Sequence, residues 1–182
     1  PPEPEETLQI DDCEGLEDLE DLEGLVGFND EASLFRDNIA LHHGGAVFLH
    51  GEFFPEDTLV QSTFAQTEFV GNFSGSKGGG LYVRWNISLQ IDSVVFTQNE
   101  SQSAGGGFYL HDSESRNEIN SSQFERNKTN YSSGGAFFCQ NDNDVIVEAS
   151  SFTANLADDS GGAIGQGSGD NLEVRNSVFK NN

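Results

Sequence analysis

The apolar positions of this chain recur on two scales at once. Locally they alternate with polar residues, and the whole pattern then returns every 27–28 residues. The clearest marker is Phe-x-x-Asn, found at Phe35/Asn38, Phe69/Asn72, Phe96/Asn99, Phe124/Asn127, Phe152/Asn155 and Phe179/Asn182, with phenylalanine spacings of 34, 27, 28, 28 and 27. A second marker falls between successive copies: Gly44-Gly45-Ala46-Val47, Gly78-Gly79-Gly80-Leu81, Gly105-Gly106-Gly107-Phe108, Gly134-Gly135-Ala136-Phe137 and Gly161-Gly162-Ala163-Ile164. The one long spacing is explained by an insertion around Phe53-Phe54-Pro55-Glu56-Asp57.

Within each unit the spacing predicts strands. Seven residues before each phenylalanine stand Phe28, Ser62, Leu89, Asn117, Val145 and Leu172, and five before it stand Asp30, Phe64, Ile91, Ile119, Val147 and Val174. A step of two keeps side chains on one face of a strand. Two residues before the phenylalanine stand Ser33, Thr67, Val94, Ser122, Ser150 and Ser177, and this step of three breaks the alternation. It predicts a bend or bulge between two short strands. A repeat of this length signals a solenoid, propeller or array, and a propeller blade needs about 40–50 residues. The expected fold is therefore all-β, a right-handed parallel β-helix of about five to six coils, with two or three short strands per unit.

In such a stack like residues sit above like. The phenylalanines (Phe35, Phe69, Phe96, Phe124, Phe152, Phe179) become an inward ladder, and Asn38, Asn72, Asn99, Asn127 and Asn155 form a hydrogen-bonded column at the following turn. The glycine pair permits a tight bend and close backbone approach. Two positions after the small residue stand Phe48, Tyr82, Tyr109 and Phe138, flanked by positions that read as inward. These aromatics are expected to face outward, as a stripe able to stack on sugar rings or dock a partner protein. The competing reading is that loops or the side chains of the preceding strand cover them. His50, Arg84 and His111 occupy equivalent places one coil apart and form a short polar surface column.

The segment before the repeats has another character. Residues 1–12 read as an acidic extended tail. Residues 13–32 read as an N-terminal capping segment, with Leu16, Leu19, Leu22, Leu25 and Val26 at helical spacing. The alternative is a degenerate first repeat, with Phe28 and Ser33 already in phase. Residues 33–182 form the repeat domain.

Charge narrows the partners. The chain carries a net −23, and residues 1–31 hold 13 of the 31 acids and no lysine or arginine. Nucleic acid and anionic membrane surfaces are poor partners for such a chain. No apolar run of about 18 residues spans a membrane, and no basic start followed by an apolar stretch reads as a signal peptide. A mature or excised piece of a larger chain is expected. Cys13 and Cys139 are distant in sequence, so either a disulfide or a buried free thiol at Cys139 fits. The four histidines show no metal-ligand spacing, and no cofactor motif is present. The acidic turns Asp142-Asn143-Asp144 and Asp158-Asp159 offer at most a weak Ca²⁺ site, since calcium-loop spacing is absent. Of six Asn-x-Ser/Thr sites, Asn72, Asn99 and Asn127 are column asparagines, leaving Asn86, Asn120 and Asn130 as glycosylation candidates in a secreted chain. No catalytic constellation is legible, and the chain is expected not to be an enzyme.

The interleaved Phe-x-x-Asn and Gly-Gly-Ala-(Ile/Leu/Val) motifs resemble the polymorphic outer membrane protein repeats of chlamydial surface autotransporters. The resemblance covers about residues 33–182; Gly44-Gly45-Ala46-Val47 and Gly161-Gly162-Ala163-Ile164 fit the second motif strictly, and the other three copies vary it with glycine or phenylalanine. It implies a right-handed parallel β-helix, extracellular or cell-surface display (as an outer-membrane passenger if bacterial), and adhesion to a host or neighbouring cell-surface protein or glycan. The alternatives are a structural spacer or fibre element and, less favoured, a polysaccharide-acting β-helix enzyme.

Overall fold

The computed structural model describes residues 28–51, 60–113 and 115–182, and over these the chain is all-β without a helix. The acidic tail, most of the capping segment, Cys13 and the insertion after Gly51 lie outside the described residues.

Each coil contributes four short strands, one to each of four parallel sheets. Sheet A stacks Asn29–Glu31, Val60–Ala65, Ile87–Asp92, Arg116–Asn120, Asp144–Glu148 and Asn171–Arg175. Sheet B stacks the phenylalanine strands Leu34–Arg36, Glu68–Val70, Val95–Thr97, Gln123–Glu125, Ser151–Thr153 and Val178–Lys180. Sheet C holds the two-residue strands Ile39–Ala40, Phe73–Ser74, Glu100–Ser101, Lys128–Thr129 and Leu156–Ala157. Sheet D follows the glycines, with Val47–His50, Leu81–Arg84, Phe108–His111, Phe137–Gln140 and Ile164–Gln166. The register places Phe96 opposite both Phe69 and Phe124, and Tyr109 opposite both Tyr82 and Phe138. The chain is thus a parallel β-solenoid.

Residues 28–32 belong to this stack rather than to a cap. Asn29–Glu31 pairs with Val60–Ala65, and the Phe28 ring lies 5.2 Å from that of Phe64. The apolar ring at position 28 has a core to enter, so the chain joins sheet A there.

The core is a set of columns. Phe69, Phe96, Phe124, Phe152 and Phe179 stack in sequence with centroids 4.7–4.8 Å apart and planes within 7° of parallel. That distance is the spacing of hydrogen-bonded strands. Ring stacking and strand pairing are therefore satisfied by one geometry, and each buried ring contributes about 1.5–3 kcal/mol. Leu81, Val83, Phe108, Leu110, Phe137 and Cys139 of sheet D fill the opposite side of the same core.

The corners explain the broken alternation. The residue three before each phenylalanine is left-handed at Ala32, Gln66, Ser93, Ser121, Ala149 and Asn176. The residue two after it is also left-handed, at Asp37, Gly71, Gln98, Arg126, Ala154 and Asn181. One such residue turns the chain without interrupting the stack, because its amide still bonds the next coil, as Ser93 does to Asn120 O at 3.0 Å. The two glycines of the marker do different work. Gly134 is left-handed, with φ +70°. Gly135 is needed for stacking, since a Cβ there would lie 2.2 Å from the carbonyl oxygen of Gly162 in the next coil.

The asparagine column is a closed network. Asn127 Oδ1 accepts from the amide (3.1 Å) and Nδ2 (3.0 Å) of Asn99. Asn127 Nδ2 in turn donates to Asn155 Oδ1 (3.0 Å) and to Phe96 O (2.9 Å). The same pattern links Asn38 to Asn72, Asn72 to Asn99 and Asn155 to Asn182. Every donor and acceptor of an interior carboxamide is used, which is what permits a polar side chain at this depth.

Candidate functional site

Sheet D has one face in the core and the other turned away from it. Its outward positions form two adjacent columns, Phe48/Tyr82/Tyr109/Phe138 and His50/Arg84/His111/Gln140. His43 and Lys77, each just before the first glycine of its coil, lie along the other side of the aromatic column. Three successive coils thereby gather most of the chain's histidines and two of its eight lysines and arginines on one face.

Tyr82, Tyr109 and Phe138 form a second cluster outside the tube with Ala104, and Phe48 lies at its end. Phe48 stacks on Tyr82 (5.0 Å), Tyr82 meets Tyr109 edge-on (5.0 Å), and Tyr109 stacks on Phe138 (5.6 Å). They do not make the open stripe expected from the alternation. Tyr82 is 3% exposed and Tyr109 is fully buried, Phe138 is half-buried, and Phe48 at 43% is the accessible member. The physical cause is coverage by polar side chains from adjoining coils. Lys77 Nζ donates to the Tyr109 hydroxyl (2.8 Å) and lies 4.6 Å from the centre of its ring. The Tyr109 hydroxyl donates to Gln140 Oε1, and the His43 ring meets Tyr82 edge-on at 4.9 Å.

A second layer of contacts sits at the far end of the strands. The Arg84 guanidinium lies 3.7 Å over the Trp85 ring, a cation–π geometry. Trp85 Nε1 donates to Asp112 Oδ2 (2.9 Å), which is also 2.8 Å from His111 Nδ1. Arg84 Nε and His43 Nδ1 are buried and bond to no protein group.

Burial, and after it neighbouring positive charge, acts on this cluster. Burial holds the His43 imidazole below its usual range, with Lys77, His42 and Arg84 adding to the effect. Burial and then Arg84 lower the Lys77 amine, against the pull of Asp112. His111 is lowered chiefly by burial, opposed by Asp112. Burial also pushes up the hydroxyls of Tyr82 and Tyr109.

The other sequence candidates are placed as follows. Asn86 is left-handed and half-exposed beside Trp85, Asn120 is half-exposed at a strand end, and half-exposed Asn130 donates to Glu100 Oε1 (2.6 Å). Asn72, Asn99 and Asn127 are buried. Cys139 is a free, buried thiol, and burial raises its pKa to about 12. The weak calcium expectation finds no ligand set: among the described residues no group of three or more histidine, cysteine or acidic side chains converges as for a metal. Asn143 instead spends its amide nitrogen on Asp170 Oδ1 (2.6 Å) and Gln140 O (2.8 Å), building a second corner column. None of the described residues lies in a helix long and apolar enough to cross a membrane.

Fold and site together describe a parallel β-solenoid with an aromatic, cation-flanked outer face. No family model, no curated protein and no solved structure matches the chain.

Proposed function

We propose that the chain is a non-catalytic extracellular or cell-surface β-solenoid that acts in adhesion or ligand binding through the outer face of sheet D. One observation carries this reading. In a chain whose net charge is −23, Lys77 and Arg84 are held on aromatic rings of one face, and beyond the effect of burial their charges lower the His43 imidazole while Arg84 lowers the Lys77 amine. Gathering like charges costs stability, and such costs concentrate at functional positions. The neighbouring carboxylate, Asp112, accepts from Trp85 Nε1 and lies beside His111, and neither Lys77 nor Arg84 pairs with it among the described residues.

The adhesive reading agrees with the resemblance to autotransporter passenger repeats and with a partner on a host or neighbouring cell. A spacer or fibre role is the second reading, favoured by the burial of Tyr82 and Tyr109. A cell-surface and glycan binding screen of the chain, with Phe48→Ser as the comparison, separates them. Adhesion predicts binding that weakens in Phe48→Ser; absence of binding to any cell or glycan supports the spacer.

A further inference from the structure

We infer that the ligand of this face is an acidic sugar, a pyranose bearing a carboxylate or sulfate, seated with its ring on Phe48 and its anionic group toward Arg84 and Lys77. The inference rests on the reading of sheet D's outer face as the binding surface and adds the ligand's chemistry.

Pairing habits distinguish these two cations. Arg116, Arg126 and Arg175 each contact a glutamate on their own strand or its neighbouring residue, at 2.9, 3.0 and 2.6 Å. Lys77 and Arg84 contact no carboxylate among the described residues; one is held on a tyrosine and the other on a tryptophan. Aromatic partners orient a cation without neutralising it, so the charge remains available to an anion. In an acidic chain, two such cations one strand-length apart on one face favour an anionic ligand, and the exposed Phe48 beside them supplies a flat apolar surface. The Phe48 ring also stacks within 18° of His50, extending that surface toward the Arg84 column. A planar aromatic face suits the apolar side of a pyranose. A fork of guanidinium donors suits a carboxylate or sulfate.

The test uses the whole chain and defined probes: a hyaluronan octasaccharide for carboxylate, a chondroitin sulfate octasaccharide for sulfate, and a chitin oligomer as the neutral comparison. Binding is measured by calorimetry at two salt concentrations, with Arg84→Gln, Lys77→Gln and Phe48→Ser, each checked for wild-type thermal unfolding. The expected result is anionic binding at least about tenfold tighter than neutral binding, lost by about tenfold or more in Arg84→Gln, and weakened by salt. Lys77→Gln keeps the possibility of a neutral contact to Tyr109 and provides a second charge deletion if Arg84→Gln is destabilised. Equal affinity for the neutral and anionic oligomers, or unchanged anionic binding in both charge variants, overturns the inference. If Phe48→Ser alone then loses binding, the adhesive reading stands without it. Cell binding with no glycan binding also overturns the inference and leaves the adhesive reading intact. Binding to neither removes both.

Discussion

Replacing Asn127 by alanine deletes one rung of the asparagine column at its centre. The residue is fully buried, and four side-chain hydrogen bonds of 2.9–3.1 Å disappear with its carboxamide. Three groups then lose a partner in the core: the Asn99 amide, one Asn99 Nδ2 proton and the Phe96 carbonyl. Asn155 Oδ1 keeps the Asn127 backbone amide (3.0 Å). A buried polar group left unpaired costs about 1–3 kcal/mol, and a water admitted to the polar hole offsets part of the total. The expected loss is about 3–6 kcal/mol, a large fraction of the roughly 5–15 kcal/mol that holds a domain folded. Asn38→Ala is the control. Among the described residues Asn38 only donates into the column, and Asn72 Oδ1 retains the Asn38 amide, so the expected loss is about 0.5–1.5 kcal/mol. Urea unfolding followed by circular dichroism reads both. With a slope of about 2 kcal/mol per molar, Asn127→Ala shifts the midpoint by about 1.5–3 M and Asn38→Ala by about 0.25–0.75 M. Equal shifts, or a loss below about 1 kcal/mol for Asn127→Ala, would refute the claim that the column is a cooperative buried network.

Other perturbations test other parts of the account. Gly106→Ala places a Cβ 2.2 Å from Gly135 O and 2.4 Å from Lys128 O, both backbone atoms, so the coils must part and the folded protein should be lost from soluble expression. Ala149→Gly relieves an exposed left-handed corner (φ +50°) and should raise stability by about 0.5–1 kcal/mol in urea unfolding, because the steric relief exceeds the added chain entropy. The Cys139 thiol should resist a thiol reagent in the folded protein and react on unfolding. Its folded pKa of about 12 lies above the ordinary 9.0, so its contribution is complete below that ordinary value and falls as pH rises from there toward 12. Wild type should accordingly lose stability relative to Cys139→Val between pH 8 and pH 10; parallel profiles would contradict it. In chain secreted from a eukaryotic host, peptide mapping should find glycans confined to Asn86, Asn120 and Asn130, and a glycan on folded protein at Asn72, Asn99 or Asn127 would contradict the buried column.

The features legible in the sequence are those in which like stacks on like. Phe124 and Asn127 announce their columns because each copy needs the same side chain above and below it. The left-handed corners were not legible as such: Ala149 and Ser121 carry no residue-type signal for positive φ, and only the broken alternation hinted at a bend. Sheet C was missed because strands of two residues, such as Lys128–Thr129, are too short to alternate. The outward phase of the aromatics could be read from spacing and their coverage stood as the competing reading, but the residues that cover them were not legible. Lys77 reaches Tyr109 across 32 residues, and Gln140 reaches it across 31. One signal was available: aligned by coil, His43 and Lys77 fall at the same position before the glycine marker, beside the histidine–arginine column already noted.

The most direct test of the account is adhesion of protein-coated beads to cells that bind the wild-type chain. Wild type is compared with the sheet D double variant Phe48→Ser/Arg84→Gln and a sheet A double variant, Glu118→Gln/Glu148→Gln. Adhesion is expected to fall by at least about tenfold in the sheet D variant and to stay at wild-type level in the sheet A variant. Undiminished adhesion of the sheet D variant, or loss confined to the sheet A variant, would contradict it.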